Sequence, residues 1–320
     1  MAAHGTDATQ ARTAAPRPAW RRWFVAGLVL WLLTVAVTYW TQISTLLPTV
    51  ILLGSFLVPT TFVLWAFETK ARRGLPPLAV LKAFVVGGVL GVLGAALLES
   101  ALLTGERLVG VWFAVGFLEE AAKLAALWWV ARDLVVKTRR DGMVLGAAVG
   151  FGFAAFETAG YALNAVVTTD GYDLRALIET EVLRAVLAPV GHGLWTAVLG
   201  GALFASAAGT GRFRITKELS LTYVAMSLLH GLWNASGTFA ALVVWFATVQ
   251  DWQLRLLEEE RIPSPTDQQV HLQGSLTWLM LLGVAVWGVV VLHRRWKQAE
   301  AEDAAETPSA AADHDDEDPE

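Results

Sequence analysis

The sequence predicts an all-α, polytopic membrane protein with about eight transmembrane helices and both termini in the cytoplasm. Three observations carry this reading. Of the 320 residues, 55% are hydrophobic and only 17% charged, less charge than a soluble domain of this size carries. Apolar runs of roughly 18 or more residues recur along the whole length. Lysine and arginine cluster in every second interval between those runs, which marks the cytoplasmic side.

Taken in order, the predicted spans are 23–42, 46–67, 78–98, 108–131, 142–166, 185–208, 219–247 and 274–293. Arg17, Arg21 and Arg22 precede the first, and Lys70, Arg72 and Arg73 follow the second. Arg132, Lys137, Arg139 and Arg140 follow the fourth, Arg212, Arg214 and Lys217 the sixth, and Arg294, Arg295 and Lys297 the eighth. The alternate intervals are poor in basic residues. Arg21 and Arg22 faintly resemble a twin-arginine signal, but the apolar run is long and no small-x-small cleavage site follows, so a retained anchor is expected. Pro48, Pro59, Pro189 and the Gly87-Gly88, Gly91, Gly94 series fall within spans and read as helix packing and kinking. The segment 249–273, with Trp252, Leu254 and Leu256 between charges, reads as an interfacial helix followed by a turn.

The net charge of −5 hides an asymmetry. Ten acidic residues lie between Glu300 and Glu320 without a lysine or arginine, so the rest of the chain is mildly basic. Residues 1–19 and the acidic tail 298–320 are expected to be disordered, bracketing a membrane domain at 20–297. There is no cysteine, which excludes disulfides, thiolate metal sites and cysteine nucleophiles. Any metal must be held by nitrogen and oxygen. No nucleic-acid partner is expected; the bilayer itself is the surrounding.

Within the spans, ionisable residues are few. The tetrapeptide His-Gly-Leu-Trp occurs twice, at His192–Trp195 and His230–Trp233, inside apolar runs. Glu119 and Glu120 lie in the fourth span and Glu157 in the fifth. Counted at 1.5 Å per residue, all come within about two helical turns of one depth, so four helices could converge on one centre between 108 and 247. Polar groups in lipid need internal partners, and intramembrane charges are usually functional.

Each pattern has a structural reading beside the chemical one. Lys123 stands one turn beyond Glu119 and Glu120 and can pair with one of them, which leaves the second carboxylate without a structural purpose. Glu157, Tyr161 and Asn164 form a polar stripe that would also suit interhelical hydrogen bonding. His192 is followed at one turn by Thr196, and His230 by Asn234. A lone membrane histidine is often a satisfied donor, but two in the same tetrapeptide weaken that account. The glycine after each histidine allows another backbone to come close.

Two schemes fit these residues. Histidines and a carboxylate (His192, His230 and Glu157) could hold zinc, with another carboxylate taking a proton from water. Alternatively, a glutamate activates water without metal while His230 and Asn234 hold the developing oxyanion. From another class, a proton-coupled transporter could use the same Glu/His cluster as a relay. Transporters, however, tend to have paired breaks in two halves, and here the polar groups gather in the second half only.

The order Glu119-Glu120-x-x-Lys123, then Phe153-x-x-x-Glu157, then membrane histidines resembles the PrsW family of intramembrane proteases, relatives of the CAAX-prenyl endopeptidases and bacteriocin-processing enzymes. The usual third motif, His-x-x-x-His, is replaced by His192-x-x-x-Thr196 and His230-x-x-x-Asn234. The second is similar to the His-x-x-x-Asn of the CAAX branch. The resemblance implies metal-dependent hydrolysis of membrane-anchored protein substrates in a bacterial cell membrane. It implies Glu119 or Glu120 as general base, and His192, His230 and Glu157 as ligands or water-orienting groups.

Overall fold

The computed structural model describes residues 19–70, 75–102, 109–135, 137–169 and 171–306. It is helical nearly throughout, as its apolar runs dictate: with no water to satisfy backbone groups, a chain in lipid must close its hydrogen bonds within each segment. Helix α1 (Ala19–Thr41) turns through a 3-10 segment at Ser44–Leu46 into α2 (Leu47–Lys70), which contains Pro59. The third apolar run divides into α3 (Pro77–Val86) and α4 (Val92–Leu102), joined by a π-helical turn at Gly87–Gly91. Then come α5 (Val109–Ala131), α6 (Arg139–Val166) and a two-residue antiparallel ladder pairing Val167–Thr168 with Gly171–Tyr172. Helices α7 (Leu174–Leu187) and α8 (His192–Ala205) follow, separated by a 3-10 turn at Ala188–Val190. The chain ends with α9 (Lys217–Thr248), α10 (Asp251–Glu258) and the 40-residue α11 (Asp267–Glu306).

Every predicted span is helical, but the spans are not equal. Six stretches are long and apolar enough to cross a membrane, and α9 with α10, bent by 108°, makes a seventh. The expected eighth, α5, is a 23-residue helix set apart by the charges of Glu119, Glu120 and Lys123. Burial grades them: 83% of the apolar window of α6 is enclosed, against 11% for α1 and α11, whose exposed leucines, valines and tryptophans form a lipid-facing surface. Thus α6 is the axis of the bundle.

Glycine makes that possible. Gly142, Gly146 and Gly150 recur every four residues along one face of α6, and α8 lies directly on them. A methyl group added at Gly150 would stand 2.1 Å from the His192 carbonyl oxygen, and one at Gly146 would stand 2.2 Å from that of Thr196. Helix α7 is tied to the first hairpin by a buried polar contact: Trp31 Nε1–H donates to Glu181 Oε2 at 2.9 Å, and Ser55 Oγ reaches Oε1 at 3.4 Å.

Two expectations need correction. Predicted span 185–208 is not one continuous helix: Pro189 and Gly191 break it, and His192 becomes the first residue of α8. The acidic segment from 298, expected to be disordered, stays helical to Glu306. Its charges are answered there, with Arg139 Nε donating to Glu302 Oε2 at 2.9 Å and Arg140 Nη1 to Asp303 Oδ2 at 3.1 Å. Residues 1–18 and 307–320, also read as disordered, lie outside the described residues. The segment read as interfacial folds as α10, with Trp252, Leu254 and Leu257 exposed, followed by a turn in which Gln253 and Gln269 hydrogen-bond each other.

Candidate active site and metal centre

Two close helix contacts build the site. Helices α5 and α9 meet at Gly116 and Gly231: a methyl group at Gly231 would lie 2.7 Å from the Phe113 Cα, so only glycine permits this register. That contact sets His230 beside the carboxylates of α5. The glycine face of α6 brings the start of α8, and with it His192, to the same level.

Lys123 occupies the middle. Its Nζ lies 2.8 Å from Glu120 Oε1, 3.1 Å from Glu119 Oε2 and 2.8 Å from His192 Nδ1, and it rests 4.0 Å from the centre of the Phe153 ring. The ammonium therefore pairs with both carboxylates, not with one, so the second glutamate is accounted for electrostatically. Phe153 and Lys123 meet through the ring face, a cation–π contact that links the first two motifs physically.

The two histidines are held in matching fashion. His230 Nδ1 lies 3.1 Å from Glu120 Oε1, and His192 Nε2 lies 3.0 Å from Glu157 Oε2. Each ring thus has one nitrogen on a carboxylate. The remaining nitrogens, His230 Nε2 and His192 Nδ1, stand 3.7 and 3.9 Å from Glu119 Oε2. The duplicated tetrapeptides meet here as well. Trp195 of the first stacks on His230 of the second with centroids 4.6 Å apart, and the two imidazoles are 5.0 Å apart.

One ligand atom from each of Glu119, His192 and His230 lies within 4.8 Å of the others, a group able to hold a metal ion. The donor chemistry fits: two imidazoles whose far nitrogens are fixed by carboxylates, plus a third oxygen donor, form the arrangement that orients ligating histidines. The set expected from sequence has Glu157 as the carboxylate where this trio has Glu119. Glu157 instead sits on the far nitrogen of His192 and pairs with Arg184, while Glu119 faces both rings. Glu120, expected as a candidate base, is fully buried and spent on Lys123, His230 and a 3.4 Å contact from Thr196 Oγ1.

A cavity of about 520 Å³ opens beside this centre. Glu119, Glu157, His192 and Asn234 line it, as do Tyr161 and Asn164 of the predicted polar stripe. Two charged lining residues were not anticipated. Arg184 donates to Glu157 and, at 2.9 Å, to Thr158 Oγ1, and its guanidinium lies 4.4 Å from the Tyr161 ring centre. Glu99 enters from α4. The signal for Arg184 was a basic residue one position before the predicted span 185–208; for Glu99 it was a lone acid one position beyond the predicted span 78–98.

A nearly all-helical membrane fold enclosing two histidines and a carboxylate at metal-ligand spacing beside a partly polar cavity has the make-up of an intramembrane metallopeptidase. Residues 75–252 match the family described as PrsW family intramembrane metalloprotease, and the chain belongs to that family. It is 27% identical over 217 residues to Protease PrsW of Halalkalibacterium halodurans, a match that covers 63% of this chain and 92% of that one. No solved structure matches. The protein is an intramembrane protease, and the transporter alternative finds no support in these matches.

Proposed function

We propose that the protein cleaves membrane-anchored proteins within the bilayer of a bacterial cell membrane, with zinc held by Glu119, His192 and His230. The observation that carries this is the paired arrangement of the imidazoles: each has one nitrogen on a carboxylate and the other within 4 Å of Glu119 Oε2, that of His192 also meeting the Lys123 ammonium at 2.8 Å, a contact the metal would replace. Zinc bound there would supply a Lewis acid and acidify its water towards neutrality.

The chain's own residues then have separable tasks. Glu120 accepts the Nδ1–H of His230 and thereby presents Nε2 as a lone pair. Glu157 does the same for His192. As a cavity-lining carboxylate outside the donor trio and next to His192, it is also placed to take a proton from attacking water, with Arg184 fixing its position. The Asn234 side chain lines the cavity and supplies an amide donor for the developing oxyanion. Lys123 balances the charge of Glu119 and Glu120 in surroundings that water does not reach. Eight spans with cytoplasmic termini suit both the alternation of basic intervals and the helix seen at every expected span.

The test uses purified full-length protein in liposomes with single-span substrate proteins, cleavage being read by mass spectrometry. Glu119→Ala, His192→Ala and His230→Ala should each remain in the membrane, lose bound zinc and stop cleavage. Zinc retained by the double histidine variant would remove the ligand assignment, and a wild type that cleaves no substrate would remove the activity.

A further inference from the structure

Among the described residues, Glu99 is the one carboxylate of the cavity that no other group answers. Glu119 and Glu120 share Lys123, and Glu157 has Arg184 and His192. Glu99 makes no hydrogen bond or ion pair among the described residues, yet it lines the same cavity and feels the charges of Glu119, Glu157 and Lys123. Its side chain is half-buried, in contrast to the fully buried Glu120. An unpaired carboxylate in a partly apolar cavity is costly unless something pairs with it.

The walls around it indicate what that is. Trp112 and Trp233 line the cavity with Glu99, and aromatic faces with a carboxylate form a setting that attracts cations. Both cationic side chains at the centre are already committed, Lys123 to α5 and Arg184 to Glu157. Position adds direction. Glu99 lies three residues from the end of α4, at the opposite end of its run from the basic interval containing Lys70, Arg72 and Arg73. Tyr161, Asn164 and Trp112 also belong to that non-basic end of their helices.

We infer that Glu99 is a specificity residue that receives a lysine or arginine of the substrate, on the flank of the scissile bond nearest the outer membrane face. The inference rests on the proteolytic reading above and adds the substrate class: single-span proteins with a basic residue at the outer end of the span. The pairing is a charge-assisted contact in a partly desolvated cavity, where one such contact changes affinity by about tenfold.

Two readouts separate this inference from the activity itself. Wild type, Glu99→Gln and Glu99→Lys, in lipid nanodiscs, are given model helices that differ only in Lys, Gln or Glu at the outer flank. Binding is followed by anisotropy of a label on the helix, and cleavage by mass spectrometry. Wild type should bind the Lys helix about tenfold more tightly than the Glu helix; Glu99→Gln should lose that preference, and Glu99→Lys should reverse it. Should Glu99→Lys fail to fold, the Glu99→Gln comparison decides alone. A Lys preference kept in Glu99→Gln, or absent from wild type, overturns the inference even if every helix is cleaved. Binding that follows charge as expected without any cleavage upholds the Glu99 subsite and overturns the proteolytic reading.

Discussion

His230 Nδ1 lies 3.1 Å from Glu120 Oε1, and that carboxylate has no exposed surface. Because Glu120 does not line the cavity, its effect on catalysis passes through the imidazole it holds. Glu120→Ala should therefore weaken metal binding about 10- to 100-fold, the usual cost of losing the carboxylate behind a ligating histidine. Glu120→Gln keeps an acceptor oxygen and should recover part of that loss. Competition with a chelator of known affinity measures both variants, and unchanged affinity in Glu120→Ala would mean the ring is oriented by something else.

Lys123 gives a prediction of stability. Its ammonium is wholly buried and touches Glu119, Glu120 and His192. Removing one partner of a buried ion pair leaves uncompensated charge, at a cost of about 3–5 kcal/mol. Lys123→Met should lower the melting temperature in detergent by several degrees. Added divalent zinc should restore part of it, because a cation would again sit among the same donors. A melting temperature unaffected by zinc in Lys123→Met would argue that the ammonium and the metal do not share ligands.

What could be read from the chain alone divides along physical lines. Spans were legible because lipid demands long apolar helices, and the centre was legible because charge in such helices is rare: Glu119, Glu120, Glu157, His192 and His230 all meet. Roles within the centre were not legible. Spacing puts Glu157 at the right depth, but only packing reveals that Glu119 faces both rings while Glu157 lies behind one. Arg184 escaped because its helix, with Arg175, Glu179 and Glu181, is too polar to resemble a span, although it enters the bundle. The helical acidic segment to Glu306 escaped because its partners, Arg139 and Arg140, are more than 160 residues away in sequence.

The glycine face of α6 should be intolerant of side chains without being catalytic. A methyl group at Gly150 would stand 2.1 Å from the His192 carbonyl oxygen, backbone that cannot turn aside. Gly150→Ala should push α8 outward, cost about 1–3 kcal/mol in overpacking and move His192 away from Glu119. Activity and zinc retention should fall together. Gly283→Ala, on an exposed face of α11 away from the cavity, meets nothing within 4 Å and is the control, expected to behave as wild type. Equal losses in both would show that the fall does not come from the α6–α8 contact, since alanine is the better helix former.

Arg184 supplies the last test. Its guanidinium donates to Glu157 and Thr158 and lies against the Tyr161 ring, so three residues of α6 are gathered by one side chain of α7. Lysine in its place keeps the charge but not the planar fork, and the two are not equivalent where one group must reach several acceptors. If Arg184 positions Glu157 for proton transfer, Arg184→Lys should reduce kcat by about tenfold or more, with KM little changed, the pattern of an interaction that matters mainly in the transition state. Metal content should stay at the wild-type level, since Glu119 and both histidines are untouched. Loss of zinc in Arg184→Lys would instead show that Arg184 acts on metal binding through Glu157 and His192. A rise in KM alone would make Arg184 a substrate contact.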